Sequence, residues 1–398
     1  MPPFASSVSP SLSRRRWALC ILFMVPGVAL ASWVTRTPAI RDLLGASTAE
    51  MGLVLFGLST GSMVGILASG PLLGRWGARP LIAIGMVGII ASMPVIAFGA
   101  ALQVNVAVAV GLALFGLGMG GSEVALNVEG ADVEVQSGRT FLPLLHGCFS
   151  LGTFIGAVLG IVATAVGFSV IVHLIAVGVL ALVAALASVR HLPSHTGRRA
   201  APEPGVSIER PVPVWRDTRL LCIGFIVLAM ALAEGTATDW LPLIMVDGHG
   251  LDAALGSAVF AVFAASMTIG RFCGGPIVHR FGRAPVLAVS ASSAVAGLLL
   301  VSLVDHEVVA GVAVVLWGLG ASLGFPVAIS AAGASGERPT ARVALVTVMG
   351  YLAFLVGPPA LGFIGEHVGL RTALLAPMIV VLIAVFMSPA TRTRRSPN

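Results

Sequence analysis

Apolar stretches of about 20 residues recur along the whole chain, and they decide what it can fold into. They run over 17–36, 49–73, 79–100, 104–127, 141–165, 167–189, 219–243, 253–277, 284–304, 307–332, 341–365 and 370–389. A helix needs about 20 apolar residues to cross a bilayer, so each stretch predicts one membrane span, twelve in all. Of the 398 residues, 57% are hydrophobic and 10% charged, and the mean hydropathy is +1.01. A typical soluble domain carries about 25% charged residues. No soluble fold buries so much apolar surface, and disorder is excluded on the same ground. Two short tails, short turns and one longer connection remain, too little for a catalytic domain outside the membrane. The fold class expected is an all-α integral membrane protein and not an enzyme.

Charge supplies the orientation. The formal net charge is +6, and all 23 basic residues are Arg. A chain without Lys at any basic site reflects genome composition, so the charge does not indicate nucleic acid. With the N-terminus cytoplasmic, 19 Arg fall on the inner side, Arg36, Arg41 and Arg371 fall outside, and Arg271 lies within a span. The positive-inside bias places both termini in the cytoplasm, here of a bacterial inner membrane. Arg14–Arg16 followed by a run ending Ala29-Leu30-Ala31 imitates a cleaved leader. The run continues through Ser32 and Trp33 and more spans follow, so a retained first helix is expected. Cys20, Cys148, Cys222 and Cys273 all lie in apolar stretches without a C-x-x-C pair. They predict core thiols, with neither disulfide nor metal site.

The connection 190–218 is polar and Pro-rich, a cytoplasmic linker. It divides the chain into a tail (1–16), a six-helix bundle (17–189), a second bundle (219–389) and a tail (390–398). The halves repeat. Gly70-Pro71-Leu72-Leu73-Gly74-Arg75-Trp76-Gly77-Ala78-Arg79-Pro80 closes span 2. Gly275-Pro276-Ile277-Val278-His279-Arg280-Phe281-Gly282-Arg283-Ala284-Pro285 closes span 8, 205 residues later. Gly116-Leu117-Gly118 echoes Gly318-Leu319-Gly320. Two parallel six-helix repeats are the architecture of a transporter that rocks its halves.

The paired G-P-x-x-x-R-x-G motifs resemble the loop signature of the major facilitator superfamily. The resemblance implies two pseudo-symmetric six-helix bundles and a conformational role for Gly70, Arg75, Gly77, Arg79, Gly275, Arg280, Gly282 and Arg283. Arg271, just before the second motif, joins them as a packing residue. The family pattern has an acidic residue before the Arg, where this chain has Gly74 and His279. Gly116–Asn127 in span 4 and Leu145–Gly152 in span 5 resemble the fucose-permease branch and its inner-membrane relatives. That implies a small polar solute, a sugar or sugar-like metabolite, moved with protons. A monomer without cofactor is expected.

Ionisable groups at membrane depth are costly and so are functional candidates. Glu123 in span 4 and His146 in span 5 lie at similar depth, as a proton-handling pair or as a structural hydrogen bond. Asn127 orients Glu123 or faces the vestibule. Glu234 in span 7 lies near the midplane, where solutes bind in this architecture. It opens a polar, partly unwound stretch ending at Asp239. Trp33 and Trp240 either stack on a solute or form an interfacial belt. Arg36 and Asp239, at the outer ends of spans 1 and 7, are expected to pair as an outer gate. Glu129, Asp132 and Glu134 form either a solvated acidic turn or a gate against Arg75–Arg79.

Without Lys there is no phosphate-binding G-x-x-x-x-G-K-[ST] loop, which argues against an ATP-driven pump, and a proton gradient is the expected energy source. Two other readings stand beside the symporter. Gly152, Gly156, Ala157 and Gly160 approach an exporter motif, which would make the chain a proton-antiport exporter. A membrane sensor is the third, against which the repeat and the midplane carboxylates argue.

Overall fold

The computed structural model describes residues 10–137, 141–194, 196–198, 214–336 and 339–392. Arg139, Arg199, Arg210, Arg338, Arg394, Arg395, His195 and most of the linker lie outside the described residues. The helices are α1 (Pro10–Val34), α2 (Thr37–Leu44), α3 (Thr48–Trp76), α4 (Ala78–Ala101), α5 (Asn105–Ser137), α6 (Leu142–Ala165), α7 (Val170–Val189), α8 (Thr218–Leu243), α9 (Ala253–Phe281), α10 (Arg283–Leu303), α11 (Glu307–Gly333), α12 (Pro339–Val368), α13 (Leu370–Ala373) and α14 (Leu375–Met387). Among the described residues there is no strand. Twelve helical segments are long and apolar enough to cross a membrane. Within hydrocarbon every backbone polar group must be satisfied internally, which only helices achieve in an open bundle.

The Cα positions fall into two compact units. One holds the chain up to Trp33 and from Gly57 to the linker; the other holds Val34–Phe56 and the chain after the linker. The same neighbours recur inside each. In the first unit α4 packs on α5 and α7; in the second α10 packs on α11 and α14. The loop motifs repeat in conformation too. Gly77 has φ +87° and ψ 174°, Gly282 has φ +83° and ψ 164°, and each caps the N-terminus of the next helix. Only glycine adopts that region without strain, which is why this residue is fixed in both motifs.

Close packing accounts for one glycine stripe. Gly57, Gly61 and Gly65 stand one turn apart on α3, and a Cβ at each would strike the carbonyl of Ala109, Ala113 or Leu117 on α5. Helices in lipid associate through such close approach, there being no hydrophobic drive between them. Gly152 and Gly156 do the same for α6, against Met24 and Val28 of α1. Packing thus accounts for two of the three glycines of the exporter-like motif.

Three boundaries differ from the sequence reading. α1 starts at Pro10, so Arg14–Arg16 are helical and not part of a tail. α5 runs to Ser137 and carries Glu129, Asp132 and Glu134 within the helix. Glu134 Oε1 accepts the backbone N–H of Leu142 at 2.9 Å and that of Phe141, so it satisfies two of the free N–H donors at the start of α6. Third, residues 234–239 are regular α-helix, with Thr238 Oγ1 donating to the Glu234 carbonyl at 3.1 Å. The irregular turn comes later, as a π-helix over Ile244–Gly248 after Pro242.

Candidate functional site

In the first unit the polar groups of α5 and α6 meet at Asn127. Its Nδ2 donates to the Glu123 carbonyl at 2.9 Å, and its Oδ1 lies 3.1 Å from His146 Nε2. An amide oxygen only accepts, so that imidazole nitrogen carries the proton. Phe23 of α1 holds the imidazole edge-on, with ring centroids 5.4 Å apart. Asn127 thus joins the Glu123 backbone to His146, the two residues that the sequence reading sets at similar depth as a proton-handling pair or a structural hydrogen bond. Periodicity explains the geometry, since residues four apart stand on one helix face.

In the second unit Arg271 Nη2 of α9 donates to Glu234 Oε1 of α8 at 2.9 Å. The side chains are 39% and 23% exposed, so the pair opens to the surroundings of the unit. Arg271 was expected only to pack; the structure makes it the partner of the one midspan carboxylate singled out for solute contact. The sequence reading missed what aims Glu234. Trp317 of α11, fully buried, donates its indole Nε1 to the Ala233 carbonyl at 3.1 Å and meets Phe263 edge-on at 5.6 Å. Its only sequence trace was a lone aromatic before the Gly318-Leu319-Gly320 echo.

Trp33 and Trp240 are 2% and 1% exposed, so neither belongs to an interfacial belt. The expected pair of Arg36 with Asp239 does not form. Asp239 is 8% exposed and has no hydrogen bond or ion pair among the described residues. The pair that does form joins Arg41 to Asp247. The reason is that spans 1 and 2 are joined by a helix, α2, not a plain turn. Arg36 sits at its N-cap, 3% exposed, and Arg41 in its last turn reaches the π-helical end of span 7. Burial lowers the pKa of Arg36, whereas Arg41 is also half-desolvated but is held up by its bonds to Asp247 and Asp42.

The acidic end of α5 also has a different partner from the one expected. Glu129 is fully buried and its Oε2 binds Arg15 of α1, which reaches Asp132 Oδ2 at 2.6 Å as well. Among the described residues, Arg75 and Arg79 form no ion pair with this cluster. Within the loop motifs, Cβ atoms at Gly70 and Gly275 would meet open space. Arg280 lies over the Phe281 ring at 5.4 Å, and Arg283 Nη2 donates to Ser330 Oγ of α11 at 3.2 Å. The first motif is covered by the start of the linker: Ala78 N donates to the Thr196 carbonyl at 2.8 Å, and Arg198 Nε donates to the Trp76 carbonyl at 3.2 Å. No cluster of three or more potential metal ligands occurs among the described residues, and the four cysteines are free thiols.

A twelve-span helical protein with repeated halves, duplicated loop motifs and carboxylates inside its spans is built to carry something across a membrane. The profile of the Major Facilitator Superfamily matches residues 140–342. An uncharacterised MFS-type transporter of Yersinia pestis is 30% identical over 390 residues, 98% of each chain. The chain therefore belongs to the Major Facilitator Superfamily, and it is a multi-pass membrane transporter. Among solved structures it is similar in fold to a variant of the nucleoside transporter NupG, with TM-score 0.78, 14% identity, and 94% and 99% of the two chains covered. It is also similar to the Escherichia coli fucose:proton symporter FucP, with TM-score 0.63, 18% identity, and 96% and 100% covered.

Proposed function

We propose that this transporter moves a small polar solute, a sugar or sugar-like metabolite, by alternating access coupled to protons. The observation that carries the reading is the half-open Glu234–Arg271 pair within the spans. Charges in hydrocarbon are retained where they line a solute or ion path. Arg271 donates and Glu234 accepts, so together they suit a solute bearing hydroxyl groups, which offer both a donor and an acceptor. The names of NupG and FucP, a nucleoside transporter and a fucose:proton symporter, describe solutes of that chemistry and support the class. Burial of Trp33 and Trp240 leaves them no surface for a solute, Asn127 stays a candidate for solute contact in the first unit, and Glu123 with His146 handles the proton. His146 is exposed and hydrogen-bonded to the Asn127 amide, which supports that role for it.

The bundles comprise 17–189 and 219–389, joined by a cytoplasmic linker, in a monomer of the bacterial inner membrane with both termini cytoplasmic. The positive-inside distribution of Arg supports that orientation. A ligand thermal-shift screen of sugars, sugar acids and nucleosides identifies the solute. Proteoliposome uptake of that solute under pH gradients of either sign then distinguishes import from export. Glu123→Gln is expected to abolish gradient-driven uptake and to spare counterflow exchange, which needs no net proton movement. Loss of both with intact folding would reassign Glu123 to solute binding.

A further inference from the structure

Cys20 on α1 and Cys148 on α6 are nucleophilic groups that the roles above leave unused, and both belong to the first unit. They lie in separate apolar runs, so only the packing brings them together. A Cβ at Gly152 would strike the Met24 carbonyl, and one at Gly156 would strike the Val28 carbonyl. A step of four residues along α1 thus matches a step of four along α6, so the two helices run parallel and in register. Residues four apart share a helix face. One turn back from Met24 and Gly152, the same register sets Cys20 opposite Cys148. The two thiols hydrogen-bond to each other there.

A disulfide needs Cβ atoms about 3.5–4.5 Å apart on backbones that already approach closely. Gly27 keeps α1 and α6 close on a neighbouring turn, since a Cβ there would strike the Phe149 carbonyl. Two thiols in contact on helices held this near can be joined by side-chain rotation with little backbone movement. Cys20 is buried and Cys148 half-buried, so a small oxidant meets the Cys148 sulfur first. Cys222 and Cys273 lie on α8 and α9 in the second unit and serve as internal controls. The thiol pair also borders the contact of Phe23 with His146, three residues after Cys20 and two before Cys148.

We propose that Cys20 and Cys148 form a peroxide-sensitive dithiol site, which closes to a reversible disulfide stapling α1 to α6. The Cys148 sulfur attacks one oxygen of hydrogen peroxide, the O–O bond breaks, and water leaves with the thiol proton. Cys148 is then a sulfenic acid. The Cys20 sulfur attacks the Cys148 sulfur, the S–O bond breaks, and a second water leaves with the Cys20 proton. Two electrons pass from the sulfurs to the peroxide, and a dithiol reductant restores both thiols. This chemistry does not depend on any role of His146 in transport. Full-length protein in phosphatidylcholine vesicles is treated with hydrogen peroxide, unfolded, blocked with N-ethylmaleimide and digested for mass spectrometry. The free thiols should fall from four to two, with one peptide pair joined through Cys20 and Cys148, and dithiothreitol should restore all four. In Cys20→Ala, Cys148 should instead be trapped by dimedone as the sulfenic acid. Four thiols remaining, or thiol loss without the Cys20–Cys148 link, overturns the proposal. The measurement on the unmodified protein decides even if the variant fails to fold.

Discussion

Arg271 Nη2 donates to Glu234 Oε1 at 2.9 Å, tying α9 to α8 at membrane depth. Both side chains remain partly exposed, and ion pairs of that kind contribute at most about 1 kcal/mol to stability. Stability therefore does not account for the pair, and function is the better reason for it.

Glu234→Gln and Arg271→Gln should each leave the thermal midpoint within a few degrees of the parent protein and weaken solute binding by about tenfold or more, the loss of one charge-assisted hydrogen bond. The double variant should bind no better than either single one. Recovery of binding in the double variant, read by isothermal titration with the solute from the screen, would make the pair a purely structural strut.

The Arg15–Glu129 pair behaves oppositely because both side chains are buried. Removing one partner of a buried pair strands the other, at about 3–5 kcal/mol. Arg15→Met and Glu129→Leu should each lower the melting temperature markedly, and the double variant should regain most of the loss. Equal melting of all four proteins would show that the pair carries no burial penalty.

Asp217 gives a pH dependence. It caps α8 by accepting the Leu220 N–H at 3.2 Å, and the Arg342 guanidinium beside it holds its carboxyl below the usual carboxylate range. A depressed folded pKa means the stabilisation is complete above the unfolded value of about 3.9 and is lost as pH falls through the folded value. Asp217→Asn keeps the cap and removes the Arg342 charge partner, so its melting temperature should differ from the parent at pH 6 and converge below pH 4. Asp217→Ala also removes the cap and should cost about a further 1 kcal/mol at every pH. A parent–Asn difference that persists in acid would contradict the linkage.

Asp247→Asn should break the tie of Arg41 to span 7, leaving its bond to Asp42, and loosen α2. Amide hydrogen exchange over Thr37–Leu44 should accelerate severalfold, with α8 unaffected. Exchange unchanged from the parent would mean that the buried apolar residues of α2, among them Ile40 and Leu44, hold it without the ion pair.

Hydropathy, Arg placement and repeated glycine motifs were enough to reveal twelve spans and a duplicated architecture. Each rests on local chemistry: apolar run length against bilayer thickness, and a backbone angle at positions 77 and 282 that favours glycine. The candidates Glu123, Asn127, His146, Glu234 and Asp239 were legible for the same reason, since a polar group within an apolar run stands out. Their partners were not. Arg15 meets Glu129 across 114 residues, Arg41 meets Asp247 across 206, and Arg271 meets Glu234 across 37. Partner choice depends on where a helix starts, as α1 does at Pro10, and on a short helix such as α2 that shifts Arg41 into the place expected for Arg36. It also depends on how helices are rotated about their axes, which decides that Asp239 borders Pro358 of α12 and not an arginine. The residue types determine which groups are costly to bury; only the tertiary packing decides which of those costs are offset by a partner and which, as at the Thr236 hydroxyl, are left standing.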